Sequence, residues 1–499
     1  MKKVTFLLIN FISIVISAQQ QKAITGEEFY QNPIFAGDYA DPSIIRDGED
    51  YYIVHSSFNY YPGLLIWTSK DLVNWKPVTH ALKKSVGSVW APDLVKYNNK
   101  FYIYFPANET NYVVWADSIN GPWSDPIDLK IGNIDPGHFT DEKANRYLYF
   151  SNGNYVPLSK DGLAVSGEGK HVYDGWKIPE EWSIECFCME GPKVMKRGNY
   201  YYLTVAEGGT AGPATSHMVI SARSKSPLGP WENSPYNPII RTKDKSEKWW
   251  SKGHSTLIDD ADGNWWMVFH GYENGYHNMG RQTLLEPVEW TSDGWFKSPE
   301  NIKTENPIKK PAGKNIKSNF TLSDNFSGTM LKPQWQFFNE FDAERFKLIN
   351  NSLELKAKGK NIGESSPLLC TPPDHSYTAE VEVEIKGNAA AGLILFYDTK
   401  VYTGIAADKE NVLAILRSWL FPTQKGINKT HLFLRLEKKE QLVNMFYSID
   451  GKEWKKIENS AEVSAFHHNV LSGFMSLRLG LSAVGEGQVT FRNFKYISN

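Results

Sequence analysis

The stretch Y-A-D-P-S-I-I-R-D-G-E-D-Y-Y-I-V-H-S, residues 39–56, decides the fold, because its pattern recurs four more times along the chain. Each copy opens with a short polar motif, continues as a short apolar strand, turns at Asp, Asn or Gly, and ends in an aromatic strand. The other copies begin at Ala91, Asp135, Glu190 and Gly253. Two strand-forming runs on either side of a turn signal predict a β-hairpin. Hairpins that recur every roughly 40 to 65 residues predict a propeller, here with five blades.

The polar openings of these copies predict a site. In a propeller the first strand of each blade lies nearest the central channel, so equivalent residues at its start converge on one mouth. The repeats align Asp41, Ala91, Asp135, Glu190 and the Gly253–His254 pair. Turn chemistry alone explains one isolated Asp-Pro or Glu-Gly-Pro. Three carboxylates in register across separate repeats instead indicate acid/base chemistry.

The chain is long enough for more than one domain. At 499 residues it exceeds an ordinary single core. Residues 27–300 hold the propeller pattern, and residues 301–318 are polar with Pro, Gly and Lys, as in a linker or strap. From residue 319 to residue 499, segments that alternate apolar and polar residues predict a β-sandwich. The predicted class is therefore all-β, a five-bladed β-propeller followed by a β-sandwich domain.

Net charge and composition bear on the classes of partner. The net charge of -2 and the pI of about 6.7 argue against nucleic acid and anionic membranes as partners. Aromatic residues make up 14% of the chain, with 17 Trp and 25 Tyr. Aromatic side chains favour strands, and their flat rings also stack on sugars. Both uses apply here, to different residues.

The N-terminus predicts export. Residues 1–18 read as a signal peptide, with Lys2 and Lys3 before the apolar run Val4–Ile16 and a cleavage point after Ala18. The apolar run is too short to span a bilayer, and no later segment is apolar enough. The predicted location is periplasmic or secreted, without a membrane span.

The cysteines predict neither a disulfide framework nor a metal cluster. The chain has three, Cys186, Cys188 and Cys370. A bridge between cysteines with one residue between them is strained and uncommon. No second Cys or His pair has the spacing of a metal cluster.

A series of motifs over roughly residues 32–295 resembles the family 43 glycoside hydrolases. The matching pieces, in order, are Y-A-D-P-S-I, S-S-F-N-Y-Y-P-G, S-K-D-L-V-N-W, V-W-A-P-D, N-I-D-P, M-E-G-P, A-E-G-G-T, K-G-H-S-T and G-R-Q-T-L-L-E-P-V-E-W. The resemblance implies an inverting β-xylosidase or α-L-arabinofuranosidase that removes xylose or arabinofuranose units from plant hemicellulose oligosaccharides. It therefore also implies an oligosaccharide or polysaccharide substrate. The C-terminal half resembles the concanavalin-like sandwich found in many β-xylosidases of this family.

The resemblance also implies roles for the three acids. Asp41 corresponds to the general base, Glu190 to the general acid, and Asp135 to a third acid that raises the pKa of the general acid and orients it. Inverting hydrolysis needs one carboxyl group that protonates the leaving oxygen and another that activates a water on the opposite face of the sugar. A nearby negative carboxylate helps the acid to stay protonated.

Four further residues match substrate-binding positions of the family. Arg281 corresponds to an arginine that reaches into the pocket, and Phe58 and Trp90 to the aromatic walls of the first sugar subsite. His254 corresponds to a histidine at the propeller centre, which in some members touches a structural calcium site through water. The resemblance implies that the chemistry itself needs no cofactor.

Two other functions fit parts of the pattern. Retaining fructosidases also combine five blades with three acids, and their acid lies in a Glu-Cys motif such as Glu185-Cys186. Their opening motif, Asn-Asp-Pro-Asn-Gly, differs from Ala40-Asp41-Pro42-Ser43, and Glu190 fits the repeat register better than Glu185 does. A non-catalytic sugar-binding propeller is the second alternative, but it would not need all three acids.

Overall fold

Five antiparallel sheets follow one another along the chain in the computed structural model, which describes residue 26 and residues 28–499. The predicted signal peptide lies outside the described residues. Blade 1 contains the strands Ser43–Asp47, Asp50–Val54, Gly63–Ser69 and Lys76–Leu82. Blade 2 contains Asp93–Tyr97, Lys100–Ala107, Thr110–Ala116 and Ile127–Asp128. Blade 3 contains Gly137–Thr140, Arg146–Phe150, Asn154–Leu158 and Lys170–His171. Blade 4 contains Glu190–Arg197, Tyr200–Glu207, Met218–Ser224, Glu232–Asn233 and Ile240–Arg241. Blade 5 contains Trp249–Asp259, Trp265–Glu273, Arg281–Trp290 and Phe296–Lys297. The first strand of each blade lies at one of the five sequence repeats, and that of blade 5 starts at Trp249, shortly before its repeat. The propeller prediction is confirmed.

The hairpin turns explain why these repeats fold as blades. In blade 2, Tyr97 pairs with Lys100 across the two residues Asn98 and Asn99, whose φ angles are 48° and 60°. A two-residue turn with positive φ at both positions matches the right-handed twist of the strands that it joins, and Asn tolerates that conformation.

The C-terminal half is a β-sandwich, as predicted. Its strands are Gln336–Phe338, Phe346–Ile349, Ser352–Lys356, Leu368–Cys370, Tyr377–Phe396, Tyr402–Ala407, Val412–Leu416, Trp419–Gln424, His431–Lys439, Leu442–Ser448, Lys455–Glu462 and Arg478–Ser498. The helix His468–Leu471 lies between the last two strands. The residues that the structure describes also form 3-10 turns at Ser151–Gly153, His277–Met279 and Ile362–Glu364. No helix among the described residues has the length and hydropathy to cross a membrane.

The segment between the two domains lies along the propeller. Its strand Ile308–Lys309 pairs with Phe29–Tyr30 near the N-terminus. Farther along, the backbone N–H of Lys314 donates to the carbonyl of Lys70 in blade 1, at 3.0 Å. Residues 301–318 therefore bind the propeller at more than one point before the chain enters the sandwich.

The sandwich shares both a strand pair and a core with the propeller. The two-residue strand Tyr60–Tyr61 of blade 1 pairs with Gln336–Phe338. Phe338 packs its ring 5.7 Å from that of Tyr60 and 5.0 Å from that of Phe396, measured between centroids. The buried cluster to which these side chains belong also contains Phe58, a predicted substrate contact. The interface between the domains thus reaches the predicted site.

The short cysteine bridge corrects a sequence prediction. Cys186 and Cys188 form a disulfide, with their Cα atoms 5.3 Å apart, within the ordinary range. Cys188 has a left-handed φ of 38°, which lets the chain reverse within one residue. Cys370 is free and buried.

Replacing Phe338 with Ala should destabilise both domains together. Removing a buried Phe ring costs about 3 to 5 kcal/mol, and this ring lies in the core that the domains share. Calorimetric unfolding should show one transition at a lower temperature. The matched control is Ile349→Ala, in the same domain but 48% exposed, which should change stability by about 0.5 kcal/mol or less. A sandwich transition that moves alone, while the propeller unfolds as in the wild type, would contradict the shared core.

Candidate active site

The three acids predicted from the repeats lie at the inner ends of their blades. Asp41 and Asp135 precede the first strands of blades 1 and 3, and Glu190 begins the first strand of blade 4. Asp41 is 4% exposed and Asp135 5%, while the Glu190 side chain keeps 19%. His254 Nδ1 lies 3.5 Å from Asp41 Oδ1 and 3.8 Å from Asp135 Oδ2. Asp135, Glu190 and His254 have side-chain N or O atoms within 4.8 Å of one another. The fold therefore brings all three acids together around one imidazole.

The same backbone conformation recurs where the blades open. Asp41, Ala91, Asp135 and His254 have φ angles of 56°, 25°, 59° and 57°. Left-handed φ costs free energy for residues other than glycine and concentrates at functional sites. The repeated motifs therefore specify the turn that aims these side chains at the channel.

Asp41 is held as a carboxylate. Its Oδ1 accepts from Arg281 Nη1 at 3.0 Å, and its Oδ2 accepts from Ser56 Oγ at 2.5 Å. Its backbone N–H donates to His270 Nδ1 at 3.1 Å. Burial, the largest single influence, would raise the pKa of Asp41, but Arg281, His254 and His270 together outweigh it and hold this pKa well below its usual range. The group is therefore charged at neutral pH and able to accept a proton.

Glu190 is held as a carboxylic acid. Burial raises the pKa of Glu190 well above its usual range, and the charges of Asp135 and Asp41 raise it further. Burial and the charge of Asp41 also raise the pKa of Asp135, to about 7, although Asp135 Oδ2 accepts the backbone N–H of Gly191 at 3.1 Å. One acid that keeps its proton and one that loses it at neutral pH are the pair that general acid/base catalysis requires.

Besides His254, three predicted site residues remain, Arg281, Phe58 and Trp90, and they differ in how far they are buried. Arg281 is 5% exposed, and its guanidinium carbon lies 5.8 Å from the ring centre of Phe58. Phe58 itself is only 1% exposed and bonds through its backbone to Val89, so it belongs to the core as well as to the site. Trp90 is 36% exposed, with its indole N–H donating to Ser88 at 2.8 Å. Trp90 is thus the more open of the two aromatic side chains.

The sandwich contributes a wall that the sequence did not predict. Phe474 lies 5.3 Å from the Arg281 guanidinium carbon, and its ring centre is 6.2 Å from that of Trp90. It stacks on His468 at 3.7 Å, and its backbone N–H donates to His468 Nδ1 at 2.9 Å. The only sequence signal was the cluster A-F-H-H-N-V-L-S-G-F between two sandwich strands. Nothing in that cluster indicates which domain it faces.

Two buried histidines were also missed. His270 stacks on His217 with ring centres 5.3 Å apart, and on His254 at 5.7 Å. Burial lowers the pKa of all three imidazoles, so they are neutral beside the acids. His217 immediately precedes the strand Met218–Ser224, and His270 lies within the strand Trp265–Glu273. Neither stands in one of the motifs that open the repeats.

Glu185, the acid of the fructosidase alternative, lies outside this group. Its Oε2 accepts the backbone N–H of Ala211 at 2.7 Å, and the residue is exposed. Its charge adds to those that raise the pKa of Glu190.

Direct binding of calcium to the acids does not fit the site. Among the described residues, one group could hold a metal, namely Asp135, Glu190 and His254. Calcium takes six to eight oxygen ligands, and this group offers two carboxylates and one imidazole. A cation there would also lower the pKa of Glu190 and remove its proton. Contact between His254 and calcium through water stays a prediction.

Comparison with known proteins agrees with this geometry. Residues 30–296 match the family model for Glycosyl hydrolases family 43, and residues 323–497 match the Beta xylosidase C-terminal Concanavalin A-like domain. The chain is 29% identical to a non-reducing end alpha-L-arabinofuranosidase of Bacteroides ovatus, over 96% of both chains. It is 28% identical to a xylan 1,3-beta-xylosidase of Vibrio sp, over 86% of this chain and 90% of that one.

Comparison with solved structures also finds similar family 43 proteins. The GH43 protein BlXynB of Bacillus licheniformis superposes with a TM-score of 0.85 at 29% identity, over 94% of this chain and 100% of that one. The family model alone covers more than half of the 499 residues. The chain therefore belongs to glycosyl hydrolase family 43 and is a glycoside hydrolase.

Proposed function

We propose that this enzyme releases single xylose or arabinofuranose units from hemicellulose oligosaccharides with inversion of configuration. One observation carries the proposal: Asp41 and Glu190 share one buried site, yet their pKa values are displaced in opposite directions. The names of the similar arabinofuranosidase and xylosidase support the choice of sugars.

In the proposed mechanism Glu190 donates its proton to the oxygen of the leaving group while the glycosidic C–O bond breaks. Asp41 accepts a proton from a water, whose oxygen attacks the anomeric carbon from the opposite face. Asp135 raises the pKa of Glu190 by its charge and fixes the start of the strand through its bond to Gly191. No cofactor takes part in these steps.

The pocket walls support action on a terminal sugar. Arg281 and His254 offer hydrogen-bond donors beside the acids, and Phe58 and Trp90 offer apolar faces. Phe474 from the sandwich stands against both Arg281 and Trp90. A wall supplied by a second domain limits how far a chain extends through the site, which favours exo action.

The fructosidase-like mechanism and the non-catalytic binding site explain fewer of the observed contacts and pKa shifts. A retaining mechanism that uses Glu185 would assign the acid role to a carboxylate bound to the Ala211 backbone. A non-catalytic sugar-binding site would have no use for a buried, protonated Glu190 beside a buried, charged Asp41, because burying charge is costly.

The first prediction tests the sugar and the stereochemistry. Purified enzyme should hydrolyse p-nitrophenyl β-xyloside or α-arabinofuranoside, in buffer with EDTA, and should leave the β-galactoside largely intact. NMR of the first product should show the inverted anomer. A retained anomer, or a trapped glycosyl-enzyme, would favour the fructosidase-like mechanism, and activity that requires an added metal would refute cofactor-free chemistry.

The second prediction separates the acid from the base. Glu190→Ala removes proton donation, so its loss of kcat should be about a hundredfold to ten-thousandfold for an alcohol leaving group. The loss should be much smaller for an activated phenol, which departs with little help from a proton. Asp41→Ala removes activation of the water, so its loss should be large for both leaving groups. Glu185→Ala is the matched control, and a leaving-group-dependent loss in that variant would reassign the acid.

We also propose that the protein is exported to the periplasm or the medium, on the basis of residues 1–18. Sequencing of the mature protein from its native host should find Gln19 at the N-terminus. An intact Met1 on the active enzyme would refute the proposal.

A further inference from the structure

His217 is a buried imidazole for which the proposed mechanism has no use. It precedes the third strand of blade 4, and its exposed fraction is 0%. Neither of its ring nitrogens has a hydrogen-bond partner among the described residues. Buried polar atoms are nearly always paired, so two unpaired nitrogens on one ring require an explanation.

The neighbours of the His217 ring leave room for it only in its observed place. Gly253 faces it, and a methyl group added to Gly253 would lie 1.9 Å from His217 Cδ2. The ring stacks almost parallel on His270, at an interplanar angle of 8°. His270 is fixed in turn by the Asp41 backbone and by Thr210 Oγ1, 3.2 Å from its Nε2. His217 therefore has one orientation, set by glycine on one side and by an anchored ring on the other.

In that orientation His217 faces the general acid. Its Nε2 lies 3.9 Å from Glu190 Oε1, about one ångström beyond an ordinary hydrogen bond. Catalytic hydrogen bonds are often long in free enzymes and shorten in the complex with substrate. A small rotation of the Glu190 side chain, which keeps 19% exposure, would close this distance.

We propose that His217 is a positioning residue for Glu190, donating its Nε2–H to Oε1 of the acid. This proposal rests on the assignment of Glu190 as the acid. The bond would leave the acidic proton on Oε2, directed at the leaving group. During the reaction the Oε2–H bond breaks, a new O–H bond forms on the leaving oxygen, and that oxygen takes the electron pair of the glycosidic bond. His217 keeps its own proton throughout.

The same bond would stabilise the transition state. As Glu190 loses its proton, Oε1 gains negative charge, and a hydrogen bond to a charged acceptor is stronger than one to a neutral acceptor. A neutral donor suits this role better than a cation, because a positive charge would lower the pKa of Glu190 before the substrate reacts. Burial keeps the pKa of His217 well below its usual range, in agreement with a neutral ring.

The test compares His217→Phe with His217→Asn on aryl glycosides whose leaving phenols differ in acidity. Phe keeps the stacking on His270 but cannot donate, whereas Asn restores a donor. We expect His217→Phe to lower kcat about 10- to 100-fold for the poorest leaving groups and little for the best, with KM nearly unchanged. His217→Asn should recover part of that loss. An equal loss across the series, or none, would overturn the proposal.

A matched control separates chemistry from folding. His138 is a half-buried histidine, which accepts from Arg146 Nε at 3.0 Å outside the site. His138→Phe should lower the melting temperature, and any effect on kcat should be the same for every leaving group. If Glu190→Ala shows leaving-group dependence and His217→Phe does not, the acid assignment stands and the role of His217 falls. If neither variant shows it, the acid assignment itself is wrong.

A second measurement is independent of the sugar. In protein labelled with ¹⁵N-histidine, the His217 Nε2 should carry a hydrogen, and its resonance should shift in Glu190→Gln. An unprotonated Nε2, or a resonance indifferent to Glu190, would refute the contact even if the natural substrate is neither a xyloside nor an arabinofuranoside.

Discussion

The buried pair of Arg281 and Asp41 is the interaction on which the site depends. Moving two charges out of water is costly, and only close geometry and additional hydrogen bonds offset that cost. Here the carboxylate also accepts from Ser56, while its backbone is bound to His270. The pair fixes a permanent negative charge at the mouth of the propeller. That charge in turn contributes to the raised pKa of Glu190, so one ion pair helps to set the protonation states of both Asp41 and Glu190.

The sandwich belongs to the same arrangement because it closes the other side of Arg281. Phe58 of the propeller and Phe474 of the sandwich both face the guanidinium. Apolar neighbours reduce the access of water, and weaker screening strengthens every charge interaction within the site. The shared core behind Phe58 makes this wall part of the fold rather than a mobile lid. A substitution at Phe474 would therefore change the shape of the pocket without altering the acids.

Much of the fold and of the candidate site was predictable from the sequence, because the same local motif recurs in each blade of the propeller. Asp41, Asp135 and Glu190 are each tied to a turn and a strand that recur, so alignment of the repeats was enough to bring them together. Phe474 and His217 have no counterpart in the repeats. Phe474 lies in a loop of the sandwich, and His217 immediately precedes the third strand of blade 4. Their roles follow from tertiary contacts, which local patterns do not record. The bridge between Cys186 and Cys188 was missed for a related reason, because it depends on a left-handed residue that spacing alone does not reveal.

The histidines beside the acids are neutral, and their neutrality preserves the charges of the site. Histidine ordinarily titrates near neutral pH, and one imidazolium among the three acids would oppose the charge of Asp41 and favour ionised Glu190. Burial prevents this by lowering the pKa of His217, His254 and His270 together. Neutral rings still offer N–H groups and lone pairs, so the site keeps directional hydrogen bonding without added charge. The stack of imidazoles therefore binds the backbone of Asp41 and faces Glu190 while leaving the difference between their pKa values intact.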